Sequence, residues 1–395
     1  MIGGSSAQEQ LKDLRSWRDR APAIDVSERE NRLECARRLT RDAGAEALLV
    51  VAGPSLNYFL GITWKLTERL VALLLTPSGR PMLIAPQFEQ GSLAAMTVLD
   101  VETLLWEEHE SPYDLIAFAL KRAGVSSVAL DPAMPYKMVA ELARAAPALL
   151  AVEASAIIDG CRMYKSAAEL ALMRQAKHMT LEVQRRAALI LREGISSSEV
   201  IAFIDAAHRA LGAAGSTFCS VQFGRSSAFP HGLPGDAQLQ EGDIVLIDTG
   251  CAVQGYNSDI TRTYVFGEPD EEQRRLWHVE AEAQQAAFDA ARPGVLCEAV
   301  DAAARRVLEA AGLGPDYCLP GLPHRTGHGI GLAVHEAPYL VKGDHTQLMP
   351  GMCFSNEPTI IIPDRFGIRL EDHFFVTEDG AAWFTERSTS IDRPF

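Results

Sequence analysis

The sequence predicts an α/β domain over residues 1–160, followed by an α+β domain over residues 161–395 whose two halves are related by a pseudo-twofold duplication. Three observations predict it. The chain has 395 residues, more than one hydrophobic core usually serves. Short apolar runs alternate with amphipathic stretches up to Gly160. Beyond that point the order becomes two helices and then strands, twice over.

In the first domain, Ala47–Ala52, Val71–Leu75, Pro81–Ile84 and Val125–Leu130 are apolar runs of strand length. Glu28–Ala43 and Tyr113–Ala123 carry apolar residues at helical spacing. In the second domain, Ser166–Arg192 is a long amphipathic helix stopped by Gly194. The next helix, Ser196–Leu211, opens on an N-cap serine with Glu199 three positions on, a capping box. Asp243–Phe266 reads as strands. Helices over Glu271–Ala291 and Val300–Ala311 follow, and His328–Phe384 is strand-rich. The halves show no visible sequence repeat, so the duplication is one of architecture.

Composition narrows the function. The chain is 47% hydrophobic and 23% charged, as expected of a compact globular protein. A net charge of -15 argues against nucleic acid, whose phosphates need clustered Lys and Arg, and favours cations. No apolar run is long enough to span a bilayer, and residues 1–20 are polar without a hydrophobic signal core, so no membrane partner and a cytoplasmic location are expected. Seven scattered cysteines without a Cys-x-x-Cys spacing read as free thiols.

The chemistry concentrates in two segments. Ile244–Ile247 is an apolar strand that delivers Asp248 just before the turn-forming Gly250, and Asp259 returns after Gly255. Glu357 and Glu371 lie symmetrically about Asp364, where Pro363-Asp364 suits a turn. Four carboxylates converging on one interior would repel one another and would each be costly to bury unpaired. Two divalent cations would balance them, and the neutral imidazole of His328, flanked by glycines, would fill a remaining position. Mixed oxygen and nitrogen donors suit manganese, cobalt, zinc or iron rather than calcium. His335 stands seven positions after His328; on a straight strand the two would face opposite ways, so either the Gly-rich backbone bends or the two have different jobs, and the second is favoured, His328 as a ligand and His335 as a hydrogen-bond donor to substrate. His231 lies in a Pro/Gly loop ahead of the first acidic hairpin. Arg369 shares a strand face with Glu371 and offers a fork to a carboxylate or a developing oxyanion, or else a structural salt bridge.

These residues resemble the superfamily of methionine aminopeptidases, proline-specific peptidases and creatinase. The resemblance rests on Ile247-Asp248-Thr-Gly250, Gly255-Tyr-Asn-Ser-Asp259-Ile-Thr-Arg262, His324-Arg-Thr-Gly-His328-Gly-Ile-Gly, His335-Glu-Ala-Pro338, Asn356-Glu357-Pro358 and Ile368-Arg369-Leu-Glu371-Asp372. It implies a pita-bread fold for residues 161–395 and a creatinase/prolidase-like domain before it. It also implies that Asp248 chelates one metal, that Asp259 and Glu371 bridge both, and that His328 and Glu357 complete the second. The proline-specific branch is expected, on proline-containing di- or oligopeptides. An Xaa-Pro dipeptidase is the first reading and an Xaa-Pro aminopeptidase the alternative; a lyase on small sulfonium acids and a non-catalytic binding module rank below. Glu357 would shuttle a proton, His231 and His335 would bind substrate with Arg369 adding charge, and His324 would bind substrate or orient its neighbours. Manganese is the first choice of metal. By resemblance a homodimer is expected, with Trp64 a candidate lid. Thr359, Ser355-Asn356 and Cys251 depart from common family residues without removing a ligand.

Overall fold

Residues 24–162 build a mixed six-stranded sheet, in the computed structural model of the chain, which describes residues 2–17 and 20–395. Its strand order is Glu102–Trp106, Met82–Pro86, Ala72–Leu75, Ala47–Val51, Ser127–Leu130 and Leu150–Glu153. Ala47–Val51 runs parallel to Ser127–Leu130 and antiparallel to Ala72–Leu75. These central strands are the apolar runs of the sequence, buried throughout. The sequence reading misses the two edge strands: Glu102–Trp106 is only partly buried, and Leu150–Glu153 is mostly exposed although its start is apolar. The expected helices are Val26–Asp42 and Pro112–Arg122, each capped by a side chain, from Asp25 and Ser111.

The chain divides into Ile24–Arg162 and a second unit made of Met163–Phe395 with the residues up to Ala23. The sequence reading assigned that N-terminal segment to the first domain. Instead Leu14 is buried in the second unit's core, Gly3 N donates to Ala188 O at 2.8 Å and Trp17 N to Leu211 O at 2.7 Å. A short polar segment carries no periodicity that could have announced this docking.

In the second unit the long helices are Ala167–Leu189, Ser197–Leu211, Glu271–Ala290 and Cys297–Ala310. Ser166 and Ser196 form capping boxes with Glu169 and Glu199, which fixes where the first two begin. Each half buries its own core, one around Val183, Phe203, Ile247 and Tyr264, the other around Leu276, Trp277, Phe354 and Phe374. The turn ahead of the second helix repeats in the two halves at an offset of one hundred positions. Gly194 N donates to Leu239 O and Gly294 N to Leu348 O, both at 2.8 Å, and both glycines have positive φ. Ile195 N and Val295 N each reach back to the arginine three positions earlier, Arg192 or Arg292, at 3.1 Å. The sequence does carry this repeat, but only as a few turn residues, Arg-x-Gly followed by Ile or Val.

The strands that follow position the site. Ile244–Gly250 lies between Ile260–Val265 and Phe218–Phe223 in a three-stranded sheet. The second half has a five-stranded sheet and, beyond it, the hairpin Thr359–Ile362 with Phe366–Arg369, whose turn holds Asp364 at φ 59°.

Candidate active site

Strand register explains how the acids meet. Asp248 pairs with Thr261, and Thr249 with Ile260, so Asp259 falls diagonally across from Asp248 on the same face rather than opposite it. Gly250 makes this possible, since a Cβ there would meet Ser258 O at 2.0 Å. In the second half, Asn356 pairs with Asp372 and Thr359 with Arg369, so continuity of register sets Glu357 directly opposite Glu371. Asp259, Glu357 and Glu371 lie just outside the paired strands, whereas Asp248 stays within its ladder.

His328 sits on the short strand Gly327–Gly329, between Glu336–Leu340 and Cys353–Asn356. Gly327 is required by close approach, because a Cβ would lie 2.1 Å from Ser355 O. The register shifts between His328 and Gly329, and the chain bends back through residues 331–335. His335 therefore arrives beside His328, with ring centroids 4.2 Å apart: the backbone bends, which was the less favoured of the two alternatives.

Ligand atoms of Asp248, Asp259 and Glu371 lie within 4.8 Å of one another, as do those of His328, Glu357 and Glu371. A third such group joins Asp259, His328 and His335. All of these line a cavity of about 950 Å³, together with His231, His324 and Arg369. The structure thus brings every predicted site residue of the second unit to one place. Trp64 lies in the other unit, where it lines a cavity of about 430 Å³ with Arg69 and Phe88.

The electrostatics are those of acids that cannot all ionise together. Burial, then the charges of Glu371, Asp248 and Glu357, pushes the Asp259 carboxyl well up. Burial followed by Glu357 and Asp248 does the same to Glu371. Burial would raise Glu357 too, but its hydrogen bond to His328 and the charges of His328, His324 and Arg369 outweigh it and bring the group down to about 2. His328 Nε2 is 3.0 Å from Glu357 Oε1 and 3.7 Å from Asp259 Oδ2. Asp248 Oδ1 and Glu371 Oε1 are buried without a hydrogen-bond partner, lone pairs that a cation would satisfy. The donor set, four carboxylates and one imidazole, fits two divalent ions of the manganese-to-zinc series.

Four supporting residues were given no role in the sequence reading. Thr261 Oγ1 donates to Glu371 Oε2 at 2.8 Å and accepts from Arg369 Nε at 3.1 Å. Ser355, noticed in the sequence only as a departure, accepts from His328 N at 2.9 Å and donates to Glu357 Oε1 at 3.1 Å. Arg262 and Asp372 form a fully buried pair at 2.7 Å, and Arg262 Nη1 donates to Glu371 O at 3.0 Å. Arg369 Nη2 holds Asp248 Oδ2 at 2.7 Å, the salt bridge foreseen as its alternative role. The departure Thr359 has a use as well, since its Oγ1 is 3.1 Å from His324 Nε2.

Residues 171–378 match the description of metallopeptidase family M24, and residues 32–164 that of the creatinase/prolidase N-terminal domain. The chain belongs to metallopeptidase family M24. Divalent metal and a peptide substrate follow for an M24 enzyme, and the second unit is the pita-bread fold. A probable dipeptidase PepE of Mycobacterium tuberculosis is 40% identical over 361 residues, covering 91% of this chain and 94% of that protein. A protein named Xaa-Pro dipeptidase from Lactobacillus delbrueckii subsp. lactis is 31% identical over 362 residues, covering 89% and 95%. The crystal structure of dipeptidase PepE from Mycobacterium ulcerans superposes with a TM-score of 0.85 at 39% identity, over 93% of this chain and 98% of that one. Among the described residues of this M24 chain, no helix is long and apolar enough to cross a membrane.

Proposed function

We propose that the protein hydrolyses Xaa-Pro bonds with two divalent ions and acts on dipeptides. The observation that carries this reading is the pair of ligand groups, Asp248–Asp259–Glu371 and His328–Glu357–Glu371, sharing Glu371 inside one cavity. Asp248 would hold one ion, Asp259 and Glu371 would bridge, and His328 with Glu357 would complete the second site. When bound, the ions lower the pKa of water and polarise the scissile carbonyl.

The chain's own groups do the rest. Glu357 takes the proton from the attacking water and returns it to the proline nitrogen, with Ser355 Oγ fixing its carboxylate. Burial, then His328 and Arg325, lowers His335 to about 4, so at neutral pH it is an uncharged imidazole that can donate to the substrate carbonyl without repelling the ions. His231, also at the cavity wall, would bind the substrate beside it, and His324 keeps its ring fixed between Arg325 O and Thr359 Oγ1. Arg369 neutralises Asp248 and adds positive charge behind the reacting carbonyl. A tertiary Xaa-Pro amide has no N–H to offer a protease, and the cavity wall of Phe218, Pro230, Pro323 and Val341 suits its ring.

Manganese is our first choice of metal, with cobalt, zinc and iron as alternatives, because oxygen donors outnumber nitrogen. A cytoplasmic homodimer belongs to the same reading; seven free thiols suit a reducing compartment. The test is Glu357→Gln. Hydrolysis of Ala-Pro should fall by about 10²- to 10⁴-fold with the circular dichroism spectrum unchanged. Wild-type rates in the variant would overturn the reading, and faster cleavage of Ala-Pro-Ala than of Ala-Pro would replace it by an aminopeptidase.

A further inference from the structure

A dipeptide substrate places a free carboxylate one residue from the bond being cut. Removing that charge from water into a cavity requires a cation with donors to spare. Two guanidinium groups line the cavity, those of Arg369 and Arg325. Arg369 is already engaged: its Nη2 is on Asp248 Oδ2 at 2.7 Å and its Nε on Thr261 Oγ1 at 3.1 Å. It is also buried among the acids that would hold the ions.

Arg325 is different. It is half-buried, and among the described residues no carboxylate lies within ion-pair distance of it and no acceptor takes its side-chain N–H groups. Its Cζ stands 4.5 Å from the ring centroid of Tyr339, a stack that uses the face of the guanidinium and leaves its edge of donors unspent. The stack is anchored to the site, because Tyr339 pairs with His328 across adjoining strands. The charge reaches the cavity as well. Burial first, and Arg325 among the charges, holds His335 and His324 below their ordinary values.

We propose that Arg325 receives the free α-carboxylate of the substrate, and so makes this cavity select dipeptides over longer or amidated peptides. The proposal rests on the Xaa-Pro reading and adds to it the residue that measures substrate length. The carboxylate would take the two outward N–H groups of a planar fork held by the tyrosine, a geometry that lysine cannot reproduce.

The experiment compares Ala-Pro with Ala-Pro amide, using metal-loaded wild type, Arg325→Gln and Arg325→Lys. Wild type should prefer the free acid. Arg325→Gln should raise KM for Ala-Pro by about 10- to 100-fold, with kcat nearly unchanged and the amide cleaved as by wild type. Arg325→Lys should recover part of the loss. Inhibition of cleavage of the amide by L-proline, but not by prolinamide, should weaken in Arg325→Gln to the same degree. Because the acid and amide are compared on wild type too, a variant that fails to fold does not remove the test. Equal cleavage of acid and amide by wild type, an equal loss of both in Arg325→Gln, or an unchanged KM for Ala-Pro would each overturn the proposal while leaving the Xaa-Pro reading intact. A wild type inert towards every Xaa-Pro substrate would overturn both.

Discussion

His208 shows how far the polar interior extends behind the acids. It is fully buried, with Nε2 3.1 Å from Thr180 Oγ1 and Nδ1 2.9 Å from Ser216 Oγ. Thr180 in turn bonds Ser258 Oγ at 2.7 Å, next to Asp259 in the chain. Burial, opposed only weakly by Asp205, lowers the His208 imidazole from its ordinary 6.5 to about 4. The unfolded chain takes up this proton as pH falls below 6.5 and the native state does not, so stability is lost between those two values and is unaffected above them. Unfolding by urea should be easier at pH 5 than at pH 7.5, with about 2 kcal/mol of the difference removed in His208→Gln. An unchanged pH difference in the variant would assign the acid sensitivity elsewhere. At this scale the convergence of the four acids was legible, because Gly250, Gly255 and Pro363-Asp364 announce the turns that bring them back. Thr261, Ser355 and Arg325 were not. Thr261 acts on a carboxylate 110 positions away, and no local pattern records such a contact.

Among the elements, the two long helices treat the two acidic hairpins alike. Gln184 Nε2 donates to Ile247 O at 3.0 Å and to Ile260 O at 2.8 Å, carbonyls adjoining Asp248 and Asp259. Gln284, one hundred positions on, donates to Asn356 O at 3.3 Å and Leu370 O at 3.0 Å, carbonyls adjoining Glu357 and Glu371. Each amide thus ties together the two strands whose acids must converge. Substituting leucine at either position should lower metal affinity by about 10- to 100-fold, the range seen when groups supporting ligands are removed, and calorimetric titration would measure it. Wild-type affinity in both variants would mean that the strands hold their spacing unaided. The duplication was visible in element order, whereas the matched glutamines were hidden because each looks like any polar residue on an amphipathic helix. Helix starts were read correctly where a capping box marks them, as at Ser166 and Ser196. The weakly patterned edge strands of the other unit gave no such signal.

For the whole molecule, the inward-facing acids of the second unit form groups that could hold the divalent metal that family M24 implies. Asp248 and Asp259 come from one half and Glu371 from the other, so an ion bound among them also joins the halves, alongside the buried Arg262–Asp372 pair. That convergence could be inferred from the sequence because four carboxylates on apolar strands have no other economical explanation. The placement of the N-terminal segment could not, since its contacts depend on a surface formed by distant residues. The decisive measurement is a crystal grown with manganese and recorded near the manganese absorption edge. The account predicts two anomalous peaks, one among Asp248, Asp259 and Glu371 and one among His328, Glu357 and Glu371. A map with neither peak, and the same carboxylates turned apart around ordinary water, would contradict it.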